Sequence, residues 1–314
     1  MRGQLMEQEI RQQPLVLAEN AAGYAAAADA LRGKDFDMVL LAARGSSDNA
    51  ALYARYLFEI HLGVPVSLAA PSVITKFGSK LRYPKCLAIG ISQSGAAPDV
   101  AEVIAAMRRM GHHTLGITNT AGSRLTQEAE HTVLLNTGPE QSVAATKTYT
   151  ASLLALYQVV RAAGADLPDA AKMLPDEAWL ETTRLAAEEN LGPVLRQNIL
   201  FALARGYGYC TAQESALKLM ECALLPCKAY STADFEHGPK ALAGPDSAAL
   251  VYGETPKGLT DFGCVSMSAP KGPDHMLNPV WEIFFGQWIA LLAARARGLD
   301  PDVPRNLSKV TMTL

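Results

Sequence analysis

Three charged residues at helical spacing are candidates for chemistry. Glu214, Lys218 and Glu221 follow one another at intervals of four and three residues, which places their side chains on one face of a helix predicted over residues 211–225. One interpretation is an exposed stripe of salt bridges. The other is a face that lines a cavity or an interface, because the rest of the segment is apolar or small. In that second setting a carboxylate could serve as a general base.

Two short polar turns each follow a predicted strand and precede a predicted helix. They are Gly45-Ser46-Ser47 and Ser92-Gln93-Ser94-Gly95. Open α/β sheets bind ligands at the carboxyl ends of parallel strands, and hydroxyls beside helix N-terminal amides suit a phosphate group. Serine is also a common helix cap, which is the alternative interpretation. The Walker pattern and GxGxxG are missing, so both familiar kinds of nucleotide site are disfavoured.

His237 stands immediately before Gly238-Pro239, at a predicted tight turn. A histidine that titrates on a surface turn is suited to proton transfer. A purely structural histidine is the alternative.

The elements that must position these residues alternate between strands and helices. This alternation is typical of βαβ units around a parallel sheet, so the predicted fold class is α/β. Strands are predicted over residues 37–43, 65–70, 85–92, 113–119, 131–136, 199–204, 228–231, 248–253 and 264–269, and helices over 48–62, 98–110, 145–163, 168–190, 211–225 and 279–297.

The second half of the chain repeats the plan of the first. Ala43-Arg44-Gly45 and Ala204-Arg205-Gly206 each follow an apolar run and precede an Ala-rich helix. We interpret this as an internal duplication, with coincidence as the alternative because many α/β proteins reuse such turns. The segment 254–263 is too short for a normal crossover helix, so this crossover is predicted to be truncated.

Composition excludes several classes of protein. The chain has 314 residues, of which 49% are hydrophobic, and a net charge of −3, so it is an ordinary globular protein without a basic footprint for nucleic acid. No apolar run reaches the ~20 residues of a membrane span, and no signal peptide is apparent. The five cysteines lack paired spacing, so we expect buried reduced thiols, no metal, no cofactor and a cytoplasmic location.

Seven segments in one order carry a resemblance along nearly the whole chain. They are Met6-Glu7-Gln8-Glu9-Ile10 with Gln13-Pro14, Gly45-Ser46-Ser47, Ser92-Gln93-Ser94-Gly95, Ser142-Val143-Ala144 with Thr146-Lys147, the run ESALKLME at 214–221, Glu236-His237-Gly238-Pro239, and the run PRNLSK at 304–309. Together they resemble the sugar isomerase (SIS) domain proteins, above all the isomerase half of glucosamine-6-phosphate synthase and stand-alone deaminases of that type. The resemblance implies two tandem SIS subdomains, each a parallel sheet flanked by helices.

The resemblance also implies domain boundaries. A helical segment would occupy residues 1–34 and the first SIS subdomain 35–165. A connecting helix would occupy 166–196, the second subdomain 197–300, and a tail that contributes to the site 301–314.

Residue roles follow from the same resemblance. Glu221 would move a proton between C1 and C2 of the sugar, with support from Lys218. His237 would assist ring opening from a neighbouring subunit, which implies a homodimer. Lys309 would form a Schiff base with an open-chain ketose phosphate, whereas a solvated tail cation is the alternative. The substrate would be held by Ser46, Ser47, Ser92, Gln93, Ser94 and Val143.

Three departures from the family pattern affect these expectations. Ala97 and Ala145 stand where hydroxyl residues are usual, so two contacts to the substrate are expected to be missing. The segment 254–263 is shortened, as noted above. Arg2 stands where a glutaminase domain would carry its cysteine, so we expect no use of glutamine.

Three functions are compatible with this reading. The favoured one is conversion of glucosamine 6-phosphate to fructose 6-phosphate and ammonia. A second is cleavage of amino-acid adducts of sugar phosphates by a deglycase. A third is a non-catalytic sugar phosphate sensor, which is disfavoured because a sensor does not need Glu221, His237 and Lys309 together.

Overall fold

The computed structural model describes residues 1–309 and consists of two parallel sheets with helices around them. The strands are β1 Met38–Ala42, β2 Val66–Leu68, β3 Cys86–Ile91, β4 His113–Thr118, β5 His131–Leu134, β6 Ile199–Ala204, β7 Cys227–Ser231, β8 Ser247–Tyr252 and β9 Val265–Ser268. The helices are α1 Gln4–Ala28, α2 Ser46–Leu62, α3 Ser72–Thr75, α4 Pro98–Arg109, α5 Arg124–Glu128, α6 Lys147–Ala162, α7 Glu177–Arg196, α8 Tyr209–Ala223, α9 Thr232–Phe235 and α10 Asn278–Ala296. The predicted α/β class with two parallel sheets is confirmed.

The described chain divides into two compact units, and neither is one continuous stretch. The first-sheet unit comprises Val16–Pro139 and Thr148–Lys172, and the second-sheet unit comprises Met1–Leu15, Glu140–Lys147 and Met173–Lys309. The domain boundaries given by the resemblance stay a prediction.

The two sheets repeat one strand order. The first sheet runs β2-β1-β3-β4-β5 and the second runs β7-β6-β8-β9, with all pairs parallel. In both sheets the turn after the first strand contains a glycine of positive φ, 55° at Gly45 and 64° at Gly206, where a side chain would strain the backbone. The shared order and the shared turn agree with the predicted duplication.

Apolar residues explain why the central strands are buried. All six residues of β3 and all six of β8 are buried, as expected for parallel strands covered on both faces. Helix α10 is buried nearly all round, since its residues are apolar on every side. None of the helices within residues 1–309 is long and apolar enough to cross a membrane. The five cysteines are all buried and free, as predicted.

One helix differs clearly from the prediction. The helix expected over 168–190 begins at Glu177, because Asp176 caps it by accepting a hydrogen bond from the Trp179 amide at 2.8 Å. It continues to Arg196 in spite of Pro193. This helix packs on α10, and the rings of Trp179 and Trp281 are in edge contact with their centroids 5.1 Å apart.

The shortened crossover is as predicted. No α-helix lies between β8 and β9, and residues 253–264 form turns in the described chain.

Candidate active site

The polar turns of the first sheet lie where its strand order reverses. Strands β1 and β3 are neighbours in register, with Ala42 opposite Gly90, so the turns that follow them meet at one edge. Ser46 and Ser47 form the first turn of α2, and the turn at 92–95 directly follows β3. A reversal of this kind opens a crevice at the carboxyl ends of the strands, which is the usual ligand site of open α/β sheets.

Gly95 holds the second turn in its shape. Its φ is 61°, and a Cβ atom there would lie 2.1 Å from Ser123 Oγ and 2.9 Å from Thr118 Oγ1. Only glycine fits so close an approach. Ser94 Oγ accepts a hydrogen bond from the Ala96 amide at 3.2 Å, so this hydroxyl also shapes the turn.

An ion pair that the sequence analysis missed connects the two turns. Arg44 Nε donates to Asp99 Oδ2 at 2.7 Å, and Asp99 lies in the first turn of α4. Asp99 is 1% exposed, whereas the Arg44 side chain is 53% exposed. Because a guanidinium has five N–H donors, Arg44 keeps the capacity to bind a further anion beside the serines.

The charged face of α8 is buried, so it is not an exposed salt-bridge stripe. Glu214 and Lys218 are 0% and 1% exposed in their side chains, and Glu221 is 24% exposed. Lys218 Nζ lies 2.5 Å from Glu221 Oε2 and 3.4 Å from Glu214 Oε1. Burial alone would lower the pKa of Lys218, but the two carboxylates reverse this effect and raise the pKa above its ordinary value. Lys218 is therefore a fixed cation that orients Glu221, the one of the three that reaches solvent.

Lys309 is not a solvated tail cation. Its Nζ donates to Glu140 Oε2 and to the carbonyl oxygen of Ser142, each at 2.7 Å. The Glu140 side chain is 0% exposed, and its other oxygen accepts from the Thr146 amide at 3.0 Å. Lys309 is thereby fixed beside the segment that contains the half-buried Val143.

Glu9 and Glu140 both interact with Lys309 and are candidate site residues that sequence reasoning missed. Glu9 Oε1 accepts from the Gln141 and Ser142 amides at 2.5 and 3.3 Å. Burial raises the pKa of Glu9 to about 7; the two amides and Lys309 oppose this shift, and Glu140 adds to it. The sequence does offer one signal for Glu9. It follows the apolar Met6 by three residues, so the two side chains share one face of α1, and the structure buries that face.

His237 is apart from these contacts. It is exposed in the turn that follows α9, and no hydrogen bond or ion pair of its ring is found within residues 1–309. Within the same residues, none of the polar contacts given for Lys218, Glu221 and Lys309 involves His237.

The predicted site residues fall into two sets. The substrate-binding serines and Gln93 belong to the first-sheet unit, whereas Val143, Lys218, Glu221, His237 and Lys309 belong to the second-sheet unit. Within residues 1–309, no group of three or more His, Cys, Asp or Glu side chains could hold a metal ion.

Comparison with known proteins identifies relatives for this arrangement. The SIS domain model matches residues 35–162. A glutamine–fructose-6-phosphate aminotransferase (isomerizing) of Methanothermobacter thermautotrophicus is 30% identical over 308 residues, which cover 88% of this chain and 51% of that protein. The chain thus spans about half the length of the curated relatives it matches.

Solved structures show the same fold. The glucosamine-6-phosphate deaminase of Thermotoga maritima has a TM-score of 0.84 at 24% identity, over 98% of this chain and 100% of that one. The C-terminal domain of glucosamine-fructose-6-phosphate aminotransferase from Francisella tularensis has a TM-score of 0.77 at 22% identity, over 94% and 97%. The chain therefore contains an SIS domain and is homologous to the isomerase half of glutamine–fructose-6-phosphate aminotransferase.

Proposed function

We propose that the protein is a phosphosugar isomerase that acts on an amino sugar phosphate and converts glucosamine 6-phosphate and water to fructose 6-phosphate and ammonia. The observation that carries the proposal is the α8 cluster, in which a buried lysine holds one partly exposed carboxylate, Glu221. The names of the related aminotransferase and of the Thermotoga deaminase support the same class of substrate.

Glu221 is the proton-transfer base in this proposal. It removes the proton from C2 of the open-chain aldose and returns it to C1, which converts an aldehyde and an amine into an alcohol and an imine. Water then hydrolyses the C2 imine and releases ammonia, directly or through an imine with Lys309. Lys218 stays protonated beside Glu221 and fixes its orientation, as the 2.5 Å contact indicates.

The turns of the first sheet bind the phosphate group in this proposal. Hydroxyls of Ser46, Ser47 and Ser94 donate to the phosphate oxygens, and the helix N-terminus after β1 favours the negative charge. The half-exposed Arg44 adds a cation beside them. Two hydroxyls that are usual in the family are replaced by Ala97 and Ala145, so the phosphate depends more strongly on the residues that remain.

We also propose a homodimer in which His237 assists ring opening in the neighbouring subunit. Its exposure and its lack of a side-chain partner within residues 1–309 support a role outside its own chain. Mixing the inactive variants His237→Ala and Glu221→Gln should restore part of the activity through hybrid dimers. No recovery after verified subunit exchange contradicts shared sites.

The decisive experiment supplies a panel of sugar phosphates and measures ammonia release. Glucosamine 6-phosphate should yield ammonia and fructose 6-phosphate in equal amounts, and glutamine should yield no glutamate. Glu221→Gln should abolish the release. The matched control is Glu188→Gln, which removes a charge from an exposed pair on α7. Binding without turnover would support a sensor, and release of an amino acid from an adduct would support a deglycase.

A further inference from the structure

We propose that Glu140 is a further catalytic residue, which accepts the proton of the Lys309 ammonium group so that the free amine can attack the carbonyl carbon of a ketose phosphate. Glu9 is the positioning residue of this pair. The inference rests on the proposed function, because it requires the imine between Lys309 and the sugar.

Geometry carries the assignment of Glu140. Its carboxylate is fully buried and lies 2.7 Å from Lys309 Nζ, the reacting atom, so a proton can pass between them without rearrangement. The other oxygen is fixed by the Thr146 amide at 3.0 Å. An ammonium group is no nucleophile, and an enzyme that uses a lysine amine needs a base to deprotonate it. Lys309 donates to the Glu140 carboxylate and to the Ser142 carbonyl, and of these two groups only the carboxylate can act as a base.

Glu9 fixes the segment that follows Glu140. One of its oxygens accepts from the amides of Gln141 and Ser142, and Ser142 is the residue whose carbonyl accepts from Lys309. The other oxygen is buried without a hydrogen-bond partner among the described residues. Glu9 and Glu140 thus place two carboxylates around one ammonium, and burial raises the pKa of Glu9 to about 7. Two acids in different surroundings can carry different protonation states at neutral pH.

The C-terminal tail and α1 are fixed together, which places Lys309 and Glu9 in one assembly. The carboxylate of Asp302 accepts from the amides of Leu5 and Met6, each at 2.9 Å. These amides belong to the first turn of α1, one turn before Glu9.

The chemical step balances without any further reactant. Glu140 takes one proton from the Lys309 ammonium, and the amine lone pair forms a C–N bond at the carbonyl carbon of the ketose. The attacking nitrogen, now positively charged, gives up a proton, and the carbonyl oxygen takes up that proton and becomes a hydroxyl. With the proton returned by Glu140, that hydroxyl leaves as water. The product is a protonated imine, so ammonium plus ketone gives iminium plus water.

The first test traps the imine with borohydride in the presence of fructose 6-phosphate. At pH 7 the Glu140→Gln variant should be trapped ~10²- to 10⁴-fold more slowly than the wild type, which is the range for loss of a proton-transfer group. Glu140→Asp keeps a carboxylate and should retain more of the rate than Glu140→Gln. It also keeps the test decisive if Glu140→Gln does not fold. Glu188→Gln is the matched control and should behave as the wild type.

The second test measures the Lys309 amine without sugar, by acetylation with acetic anhydride at a series of pH values and mass spectrometry of its peptide. Without its 2.7 Å hydrogen bond to Glu140, the Lys309 nitrogen should be acetylated faster at each pH. The charged group that still interacts with Lys309 is then Glu9. The two readouts should therefore move in opposite directions: Lys309 is acetylated faster, yet forms the imine with the sugar more slowly.

The outcomes separate this inference from the proposed function. If the wild type is trapped and Glu140→Gln is trapped equally fast or faster, Glu140 acts only by its charge and the inference is overturned. If the wild type is not trapped at all, the imine of the proposed function fails and this assignment fails with it. For Glu9, trapping should fall ~10- to 10²-fold in Glu9→Ala and be restored in Glu9→Gln, which keeps the hydrogen-bond acceptor. Equal trapping in both would remove Glu9 from the assignment.

Discussion

The two sheets can be compared position by position, counting from Gly45, which follows β1, and from Gly206, which follows β6. Tyr53 and Leu57 follow Gly45 by eight and twelve residues, and both are fully buried on α2. The residues at the same distances from Gly206 are Glu214 and Lys218, which are equally buried on α8. One repeat fills these places with uncharged side chains, a tyrosine and a leucine, and the other with an ion pair.

This difference indicates what each repeat is for. Tyr53 and Leu57 fill these positions in α2, so the fold does not need charge there. A buried ion pair is often no more stabilising than well-packed apolar side chains of similar volume. We infer that Glu214 and Lys218 are kept for chemistry. The opposite holds at the turns. Ser46-Ser47 and Ser92-Gln93 follow β1 and β3, whereas Tyr207-Gly208 and Gly253-Glu254 stand at the matching places after β6 and β8.

The largest expected effect concerns Glu221, the proposed proton-transfer base on α8. Glu221→Gln keeps the shape of the side chain and removes its basicity, so turnover should fall ~10²- to 10⁴-fold while the fold and phosphate binding survive. Turnover and ligand-induced thermal shift measure the two separately. An active Glu221→Gln variant would show that the charged residues of α8 have a structural role only. The difference between α8 and α2 would then have no functional meaning.

The next effect concerns stability. Lys218→Met leaves Glu214 buried without its cation and should lower the free energy of unfolding by about 3–5 kcal/mol. The double variant Glu214→Met with Lys218→Met removes both charges, so that these positions are uncharged as in α2, and should recover most of that loss while remaining inactive. Urea denaturation measures both. A double variant no more stable than the single one would contradict the comparison.

A pH effect of similar or smaller size is expected from two buried carboxyls of the second-sheet unit. Burial raises the pKa of both Glu9 and Glu282 to about 7, from 4.5. The folded state therefore binds more protons than the unfolded state between pH 4.5 and 7, so stability is greatest below this window and falls as pH rises through it. Each group should contribute about 3 kcal/mol.

Urea denaturation at pH 5 and pH 8 tests this effect. The decline in the free energy of unfolding from pH 5 to pH 8 should be smaller in Glu9→Gln and in Glu282→Gln than in the wild type. The exposed Glu188→Gln should leave the decline unchanged. The same decline in the wild type and all three variants would show that neither buried carboxyl causes the loss of stability between pH 5 and pH 8.

The smallest effect tests the first sheet. Ser94→Ala removes one hydroxyl from the turn at 92–95, which we propose binds the phosphate group. A hydrogen bond to a charged group contributes about 1.5–3 kcal/mol. KM for the sugar phosphate should rise ~10- to 100-fold, with kcat less affected. Ser266→Ala, on β9 of the second sheet, is the control and should leave KM unchanged. Equal effects of the two substitutions would remove the functional distinction between the sheets.

The sequence predicted the strands well because buried parallel strands are short apolar runs bounded by turns. All nine strands within residues 1–309 lie within two residues of their predicted ends. The short helices α3, α5 and α9, of four or five residues, were not predicted, because a single turn leaves no periodic signal. The start of α7 was wrong because Pro175-Asp176, a helix-start signal, was given less weight than Pro168.

For the site, local spacing was enough in one case and not in another. The face shared by Glu214, Lys218 and Glu221 follows from helical geometry, and the structure shows it buried as the cavity interpretation required. The contact between Glu140 and Lys309 joins residues 169 positions apart, and that between Arg44 and Asp99 joins residues 55 apart. No local pattern encodes such pairs, since only the tertiary fold brings them together.

The attachment of the tail to α1 has a consequence for synthesis on the ribosome. The amide of Gly3 is satisfied by Asp300 at 2.8 Å, a residue made 297 positions later. Until Asp300 and Asp302 are made, the amides of Gly3, Leu5 and Met6 lack these hydrogen-bond acceptors. Unsatisfied amides at its N-terminus make a helix less stable. A nascent chain stalled before Asp300 would therefore carry an unfinished α1 and no Lys309. Contacts of such long range form slowly. The lysine proposed to bind the sugar is thus set in place only after residues 1–309 have all been synthesised.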